Sequence, residues 1–234
     1  MKRITTLLLL LCLFALSGPF ARAETPVLHK NRVRELYSAD GVYTDSAGNT
    51  ELYSYHVPQI DADSPAAQKL NREIEKSFGL TVEYQFENMA DGLSLWSWDC
   101  RWHAYWYGSQ LFLLLSADEE GDFINYAAYG YDFENDCRVS NSMILEQLEI
   151  TEDTYLKNLR EKVGLLFEGM YGNLSEREKA YLDYDRLYEK TMSWQSMEQP
   201  MYLDGTGQLV TIAKVASAAG AEWYYYLVTP FAYG

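Results

Sequence analysis

Five polar side chains recur at every second position of one short segment. They are Asp99, Arg101, His103, Tyr105 and Tyr107. Because side chains of a β-strand alternate between its two faces, this spacing places all five on one face of a strand. Arginine and tyrosine are frequent at the centres of protein interfaces, so the pattern predicts a recognition face. The favoured interpretation is nevertheless a solvated sheet face on which Asp99, Arg101 and His103 form a ladder of charges.

The intervening positions are mostly apolar and predict the opposite face of the same strand. They are Trp96, Trp98, Cys100, Trp102, Ala104 and Trp106. Packing in the core is the favoured interpretation, although tryptophan rings could instead stack on the sugar rings of a glycan. The glycine-containing link 108–110 predicts a hairpin to the apolar segment 111–116, a strand covered on both faces.

Other residues that could do chemistry form no recognisable motif. The acidic runs 118–122 and Asp132, Glu134 and Asp136 do not match a calcium loop and are better explained as turns. His29, His56 and His103 lack the spacing of a zinc site. No nucleophile elbow, phosphate loop or dinucleotide fingerprint is present, so no cofactor or metal is expected. A glycosidase-type Asp/Glu pair stays an alternative, because its separation is defined in space.

Residues 1–23 have the features of a secretory signal peptide. Lys2 and Arg3 precede the apolar run 4–16, and Ala21 and Ala23 form a small-x-small cleavage site. The run is shorter than the roughly 18–20 apolar residues that span a bilayer, so cleavage is favoured over an uncleaved anchor. We expect a secreted, extracellular protein with no stable membrane insertion after cleavage.

Cleavage would leave a strongly acidic chain. The 234-residue sequence has 19 basic and 34 acidic residues and a net charge of −15. The predicted signal peptide contains three of the basic residues and no acidic one, so residues 24–234 would carry a charge of −18. This charge disfavours nucleic acid and anionic membranes as partners and favours cationic ones. A solvated acidic surface on an exported protein, without a specific partner, is the favoured interpretation of the charge alone.

Two cysteines follow the predicted signal peptide, Cys100 and Cys137. In an oxidising compartment they could form a disulfide. The alternative is two separate thiols, with Cys100 buried among the tryptophans. The sequence leaves both open, because it does not define the distance between the two Cα atoms.

Strand and helix patterns do not alternate regularly along the chain. This predicts an α+β fold, with a mostly antiparallel sheet and about three helices packed on it. The expected strands are the hairpin 42–60, the segment 80–89, the central hairpin, the segment 123–133, the hairpin 201–215 and the strand 222–229. Residues 24–234 would form a single domain, with two lobes, 24–90 and 91–234, as a variant. In the last strand, residues 224–226 would place tyrosine on both faces.

Capping signals define the three expected helices. Ser64 is expected to cap the first, 64–78, at its start, and Gly79 is expected to end it. The second begins at Thr151 with an apolar stripe. The third, 175–194, begins with Ser175 and Glu178 at the spacing of a capping box.

Several short segments share their order and residues with a known family. The segments 55–60 (Tyr-His-Val-Pro-Gln-Ile) and 70–76 resemble the opening of the RsiV/PdaC-type extracellular domain. Its middle strands and turn are similar to 111–116, 129–133 and Asn135-Asp136. Its downstream helix and closing strands are similar to the segments that begin at Thr154, Met201, Gln208 and Ala218. The resemblance covers residues 42–228.

The resemblance implies a sensing or binding module outside a Gram-positive bacterium. Some family members are anti-sigma-factor sensors that bind lysozyme, and others accompany a peptidoglycan deacetylase. Three residues before the apolar run are too few for an anti-sigma segment, and no deacetylase domain is expected after residue 234. We therefore expect a non-enzymatic module that binds a cationic, lysozyme-like protein or a cell-wall component. The alternatives are an enzyme acting on cell-wall glycan through an Asp/Glu pair and a structural subunit of an exported complex.

Overall fold

Nine strands form two sheets in the part of the chain that the structure describes. The computed structural model describes residues 32–119, 123–218 and 223–231, so the predicted signal peptide lies outside the described residues. The first sheet consists, in order, of β1 (Val33–Thr44), β2 (Thr50–Ile60), β3 (Asp99–Tyr107), β4 (Gln110–Glu119), β5 (Phe123–Asp132) and β6 (Cys137–Arg138). The second consists of β7 (Met201–Leu203), β8 (Leu209–Ala216) and β9 (Trp223–Val228). Neighbouring strands pair antiparallel except β2 and β3, which are parallel.

Helices occur in two groups. The first group is continuous and consists of α1 (Pro65–Ile74), a π-helical turn (Glu75–Gly79) and α2 (Leu80–Ala90). The second group consists of α3 (Asn141–Gln147), α4 (Glu152–Tyr171), α5 (Glu176–Leu182) and α6 (Tyr184–Trp194). Each group packs on a different face of the first sheet.

The expected α+β fold, with one mostly antiparallel sheet and about three helices, is wrong. The closing strands form a sheet of their own, and strands and helices contain similar numbers of residues. The segment 80–89, expected to be a strand, is helical because Gly79 does not end the first helix. Its backbone angles are helical, with φ −60° and ψ −47°. The apparent alternation was coincidental: Val82 is buried, whereas Tyr84 is 61% exposed.

Two hydrophobic cores lie on opposite faces of the first sheet. One core joins the odd-numbered residues 111, 113 and 115 of β4 to Leu70, Ile74 and Phe78 of the α1–α2 helix. The other joins Phe112 and Leu114 to α4 and the second sheet. The prediction that 111–116 forms a strand covered on both faces is thus confirmed. Both suggested lobes contribute to this sheet, since β2 pairs with β3.

Several helix starts match their sequence signals. Ser64 caps α1, Thr151 caps α4, and the capping box of Ser175 and Glu178 begins α5. The predicted third helix is nevertheless two helices, because Asp183 adopts a left-handed conformation with φ +55°. The helix α3 was not predicted, since its seven residues are too short for a clear periodic pattern.

Cys100 and Cys137 lie at opposite ends of the first sheet, and both are free thiols. Cys100 pairs with Ala117 of β4, whereas Cys137 pairs with Asp132, which in turn pairs with Gln110 of β4. The stretch of β4 from residue 110 to residue 117 covers about 23 Å. A disulfide requires Cα atoms within about 7 Å. A bridge between these two cysteines is therefore incompatible with this fold.

We expect alkylation of the native protein to distinguish the two thiols. Cys100 is fully buried, and burial raises the pKa of its thiol to about 12. Cys137 is half-buried. Because the thiolate is the nucleophile, Cys137 should react with iodoacetamide at pH 8 at least about tenfold faster than Cys100. Peptide mass mapping after brief labelling measures both rates. Similar native rates would contradict the burial of Cys100, and labelling in urea provides the control in which both thiols react.

Candidate binding surface

One row of polar side chains crosses three strands of the first sheet. The strand register pairs Asp40 with Ser54 and Ser54 with Asp99. Alternation along the strands directs these side chains away from the α1–α2 helix, towards which the neighbouring Tyr55 and Cys100 are buried. Together with Val42, Leu52, His56, Arg101, His103 and Asp118, they define what we call the outer hairpin face.

Charged contacts connect this row to its neighbours. Arg101 Nε lies 2.6 Å from Asp99 Oδ1. His56 lies between two carboxylates, with its Nε2 3.2 Å from Asp40 Oδ2 and its Nδ1 3.6 Å from Glu35 Oε1. Carboxylates therefore outnumber the guanidinium group on this part of the surface, which gives it a negative charge.

The surroundings of two carboxylates shift their pKa values in opposite directions. Hydrogen bonds from Ser54 and His56 hold the pKa of Asp40 below its usual value, so that Asp40 is ionised at neutral pH. Desolvation raises the pKa of Asp99, although the neighbouring Arg101 opposes this effect. Asp40 therefore offers a fixed negative charge to solvent, whereas the charge of Asp99 is largely directed at Arg101.

An exposed apolar pair adjoins the acidic row at the tip of the β1–β2 hairpin. Val42 and Leu52 are register partners and are 64% and 76% exposed. Val42 and Leu52 lie two residues closer to the hairpin turn than Asp40 and Ser54, on the same face of the sheet. Apolar contact area surrounded by charged groups is the usual composition of a protein interface.

The residues of the predicted recognition face do not share one environment in the structure. This face comprised Asp99, Arg101, His103, Tyr105 and Tyr107. The Tyr105 ring stacks on Tyr202 of β7, with centroids 5.4 Å apart. The Tyr107 ring packs on the β7–β8 hairpin so closely that a Cβ atom at Gly207 would lie 2.8 Å from it. The second sheet thus contacts both tyrosines, while Arg101 and His103 are exposed.

The tryptophans of the central segment have different roles. Trp106 stacks on Phe133, with ring centroids 5.6 Å apart, and Trp102 Nε1 donates a hydrogen bond of 3.1 Å to Glu35 Oε1. Trp96 and Trp98 precede β3, so the strand alternation does not extend to them. All four are half-buried, and those within β3 pack beside the α1–α2 core.

The acidic turn after β5 is organised by hydrogen bonds to Asp132. Its Oδ1 accepts from Ser109 Oγ and from the backbone N–H of Glu134, both at 2.9 Å, and its Oδ2 accepts from Asn135 Nδ2 at 2.8 Å. These donors use the oxygens that a calcium ion would need. In residues 32–119, 123–218 and 223–231, no group of three or more His, Cys, Asp or Glu side chains could hold a metal ion.

Sequence reasoning missed Val42, Leu52 and Asp40 as candidate binding residues. A signal was present, because Tyr53, Tyr55 and Val57 define the buried face of β2 and Leu52 is out of phase with them. A large apolar residue on the polar phase of an amphipathic strand is a sign of an exposed apolar contact. Its neighbour Asp40 could not be identified, since only strand register brings it beside Ser54 and Asp99.

Searches against protein-family models and against curated proteins give no match to this chain. Among the described helices, none is both long and apolar enough to cross a membrane.

Proposed function

We propose that this protein is a secreted, non-enzymatic binding module that docks a cationic protein on the outer hairpin face. The observation that carries the proposal is the exposed pair Val42 and Leu52 beside the row of Asp40, Ser54 and Asp99. Burial of the apolar pair would supply affinity, at roughly 25 cal/mol per Å² of apolar surface removed from water. The carboxylates would select a partner with basic residues around an apolar contact.

The overall charge supports the same class of partner. A net charge of −15 attracts basic proteins over distances of about a Debye length and accelerates their encounter. A lysozyme-like wall hydrolase has the required basic surface, and the resemblance to the RsiV/PdaC-type domain leads to the same candidate. The function proposed is therefore that of a sensor or inhibitor that captures such an enzyme.

Two substitutions on the outer hairpin face test this proposal. Leu52→Ala should increase the dissociation rate of a basic lysozyme, and Asp40→Lys should reduce its association rate. The protein that carries both substitutions should bind about tenfold or more weakly than the wild type. Biolayer interferometry of the full chain at low and near-physiological salt measures both rates. The Asp40→Lys effect should shrink as salt increases, because exposed charges are screened.

Matched variants elsewhere control for charge and hydrophobicity. Glu176→Lys changes the net charge by the same amount at a side chain that is 95% exposed on α5. Leu165→Ala removes an apolar side chain that is 64% exposed on α4. Both should leave the affinity within about twofold of the wild type. Equal losses for these controls and for the outer hairpin face would refute this docking site, and absence of lysozyme binding would refute the partner.

A further inference from the structure

Two adjoining cavities form a groove beside β5, on the face of the first sheet that points to the second sheet. The smaller cavity has a volume of about 280 Å³ and is lined by Tyr126, Trp194 and Tyr225 among others. The larger has a volume of about 420 Å³ and extends past Ala128 and Gly130. Glu198 and Pro200 line both cavities, so the two meet at the segment 197–200.

Alternating residues of β5 form the floor of this groove. Tyr126, Ala128 and Gly130 are spaced by two and lie on the same face, over about 13 Å of strand. Ala128 is small and half-buried, whereas Gly130 is buried and a Cβ atom there would lie only 2.9 Å from Val139 and 3.1 Å from Phe112, which pack against this part of the floor. A floor of this length suits a short linear ligand rather than a single small molecule.

An aromatic wall closes one end of the groove. Trp194 is 43% exposed, and its ring contacts Trp223 edge-on with centroids 5.0 Å apart. Lys214 Nζ lies 4.8 Å from the Trp194 ring and 5.2 Å from the Tyr225 ring. These contacts hold a partly exposed indole in a defined position. The electron-rich face of such a ring attracts the weakly positive C–H groups on the flat face of a sugar.

Hydrogen bonds hold the rim of the groove in place. Gln199 is 4% exposed, and its Nε2 donates to the Trp194 carbonyl oxygen at 2.6 Å. Asn141 Nδ2 donates to the carbonyl oxygens of Met197 and Gln199, at 2.6 and 2.9 Å. The segment that joins the two cavities is thus pre-organised, which reduces the entropy lost when a ligand binds.

Polar groups along the groove match hydroxyl groups better than a single charge. Asn125, Ser196 and Glu198 line the smaller cavity, and Ser142 and Glu152 line the larger. One basic group accompanies them, Lys214 in the smaller cavity, whereas the guanidinium group of Arg138 pairs with Glu73 of α1 at 2.9 Å. Donors and acceptors of both kinds beside aromatic rings are what a chain of sugar hydroxyls requires. The mixture of charges argues against nucleic acid, which needs a consistently basic groove.

We propose that this groove binds a short oligosaccharide, with one sugar ring stacked on Trp194 and further rings extending along β5 past Glu198. The site is separate from the outer hairpin face, because the two surfaces have no residue in common. It adds a second ligand class to the proposed protein partner, and either site can fail without the other.

Titration of the full chain with two neutral tetrasaccharides tests the proposal. The probes are an N-acetylglucosamine tetramer and a glucose tetramer, and isothermal calorimetry measures the affinity of each. At least one should bind. Trp194→Ala should weaken that binding tenfold or more, whereas Trp194→Phe, which keeps an aromatic face, should retain most of it. Tyr181→Ala removes a ring that is 88% exposed on α5 outside the groove, and should leave binding unchanged.

Three results would overturn the assignment. The first is the absence of binding by either tetrasaccharide at millimolar concentration. The second is a Trp194→Ala variant that binds as tightly as the wild type. The third is cleavage of the tetrasaccharide that Glu198→Gln abolishes, which would make the groove a catalytic site. Far-UV circular dichroism and lysozyme binding, measured on the same variants, confirm that the fold and the outer hairpin face are intact.

Discussion

Replacement of Phe167 by alanine is expected to lower the free energy of unfolding by about 3–5 kcal/mol. Phe167 lies on α4 and is fully buried. Its ring contacts those of Tyr171, Tyr184 and Tyr188, with centroid distances of 4.9, 5.2 and 5.3 Å. Removal of this ring leaves a cavity that three neighbouring aromatic side chains border, and aromatic rings cannot readily collapse into it.

Urea unfolding followed by far-UV circular dichroism measures this loss. Leu165→Ala is the matched control, because this side chain lies on the same helix and is 64% exposed. It should change the free energy of unfolding by no more than about 0.5 kcal/mol. A Phe167→Ala midpoint equal to that of Leu165→Ala would contradict the core packing described here.

The same substitution should also affect the saccharide groove. Tyr184 and Tyr188 belong to α6, which ends at Trp194. Phe167 therefore anchors the helix that positions the aromatic wall. At urea concentrations where Phe167→Ala is still folded, its tetrasaccharide affinity should be lower than that of Leu165→Ala.

Replacement of Asp132 by alanine is expected to cost about 1–3 kcal/mol of stability, because it removes the buried acceptor that holds two turns together. Asp132 is 2% exposed and accepts hydrogen bonds from Ser109, Glu134 and Asn135. These bonds connect the β3–β4 turn to the turn before β6. Loss of the carboxylate would loosen both turns at one end of the first sheet.

The contribution of Asp132 should also depend on pH. Burial opposes ionisation of this carboxyl group, yet hydrogen bonds from Asn135 and Ser109 hold its pKa below the usual value. A folded-state pKa below the unfolded value of about 3.9 means that the stabilisation is fully present above pH 4 or so. It is lost as the pH falls through the folded-state pKa.

Comparison with Asp132→Asn tests the sign of this dependence. Asparagine has a similar shape but no charge, so the stability gap between the two proteins should be largest near pH 7 and shrink towards pH 2. Urea midpoints measured across that range give the gap directly. A gap that is constant with pH would show that the charge of Asp132 contributes nothing.

Local patterns predicted much of the secondary structure because they depend on neighbouring residues. The alternation in β3 from Cys100 to His103, the caps of α1 and α4, and the capping box of α5 each need only a few consecutive positions. The errors arose where distant packing decided the conformation. Gly79 could have ended a helix, but Phe78 and Val82 are both buried in the core beneath β2 and β4, and this burial favours continued helix.

Only part of the candidate binding surface could be predicted. The exposure of Arg101 and His103 follows from their place on the polar side of β3. The contact between Tyr105 and Tyr202 could not be predicted from the pattern of β3, because these residues are far apart in sequence and meet only when the second sheet docks. The groove was missed for the same reason, since its floor, its aromatic wall and its rim come from separate segments.

By itself, the sequence determined the acidic charge, the apolar and polar faces of individual strands, and most helix starts. These properties depend on composition and on side-chain periodicity, which are local. Tertiary structure alone decided the separation of the two sheets, the impossibility of a bridge between Cys100 and Cys137, and the row formed by Asp40, Ser54 and Asp99. The physical reason is that strand register and the docking of sheets depend on the packing of side chains that are distant in the chain.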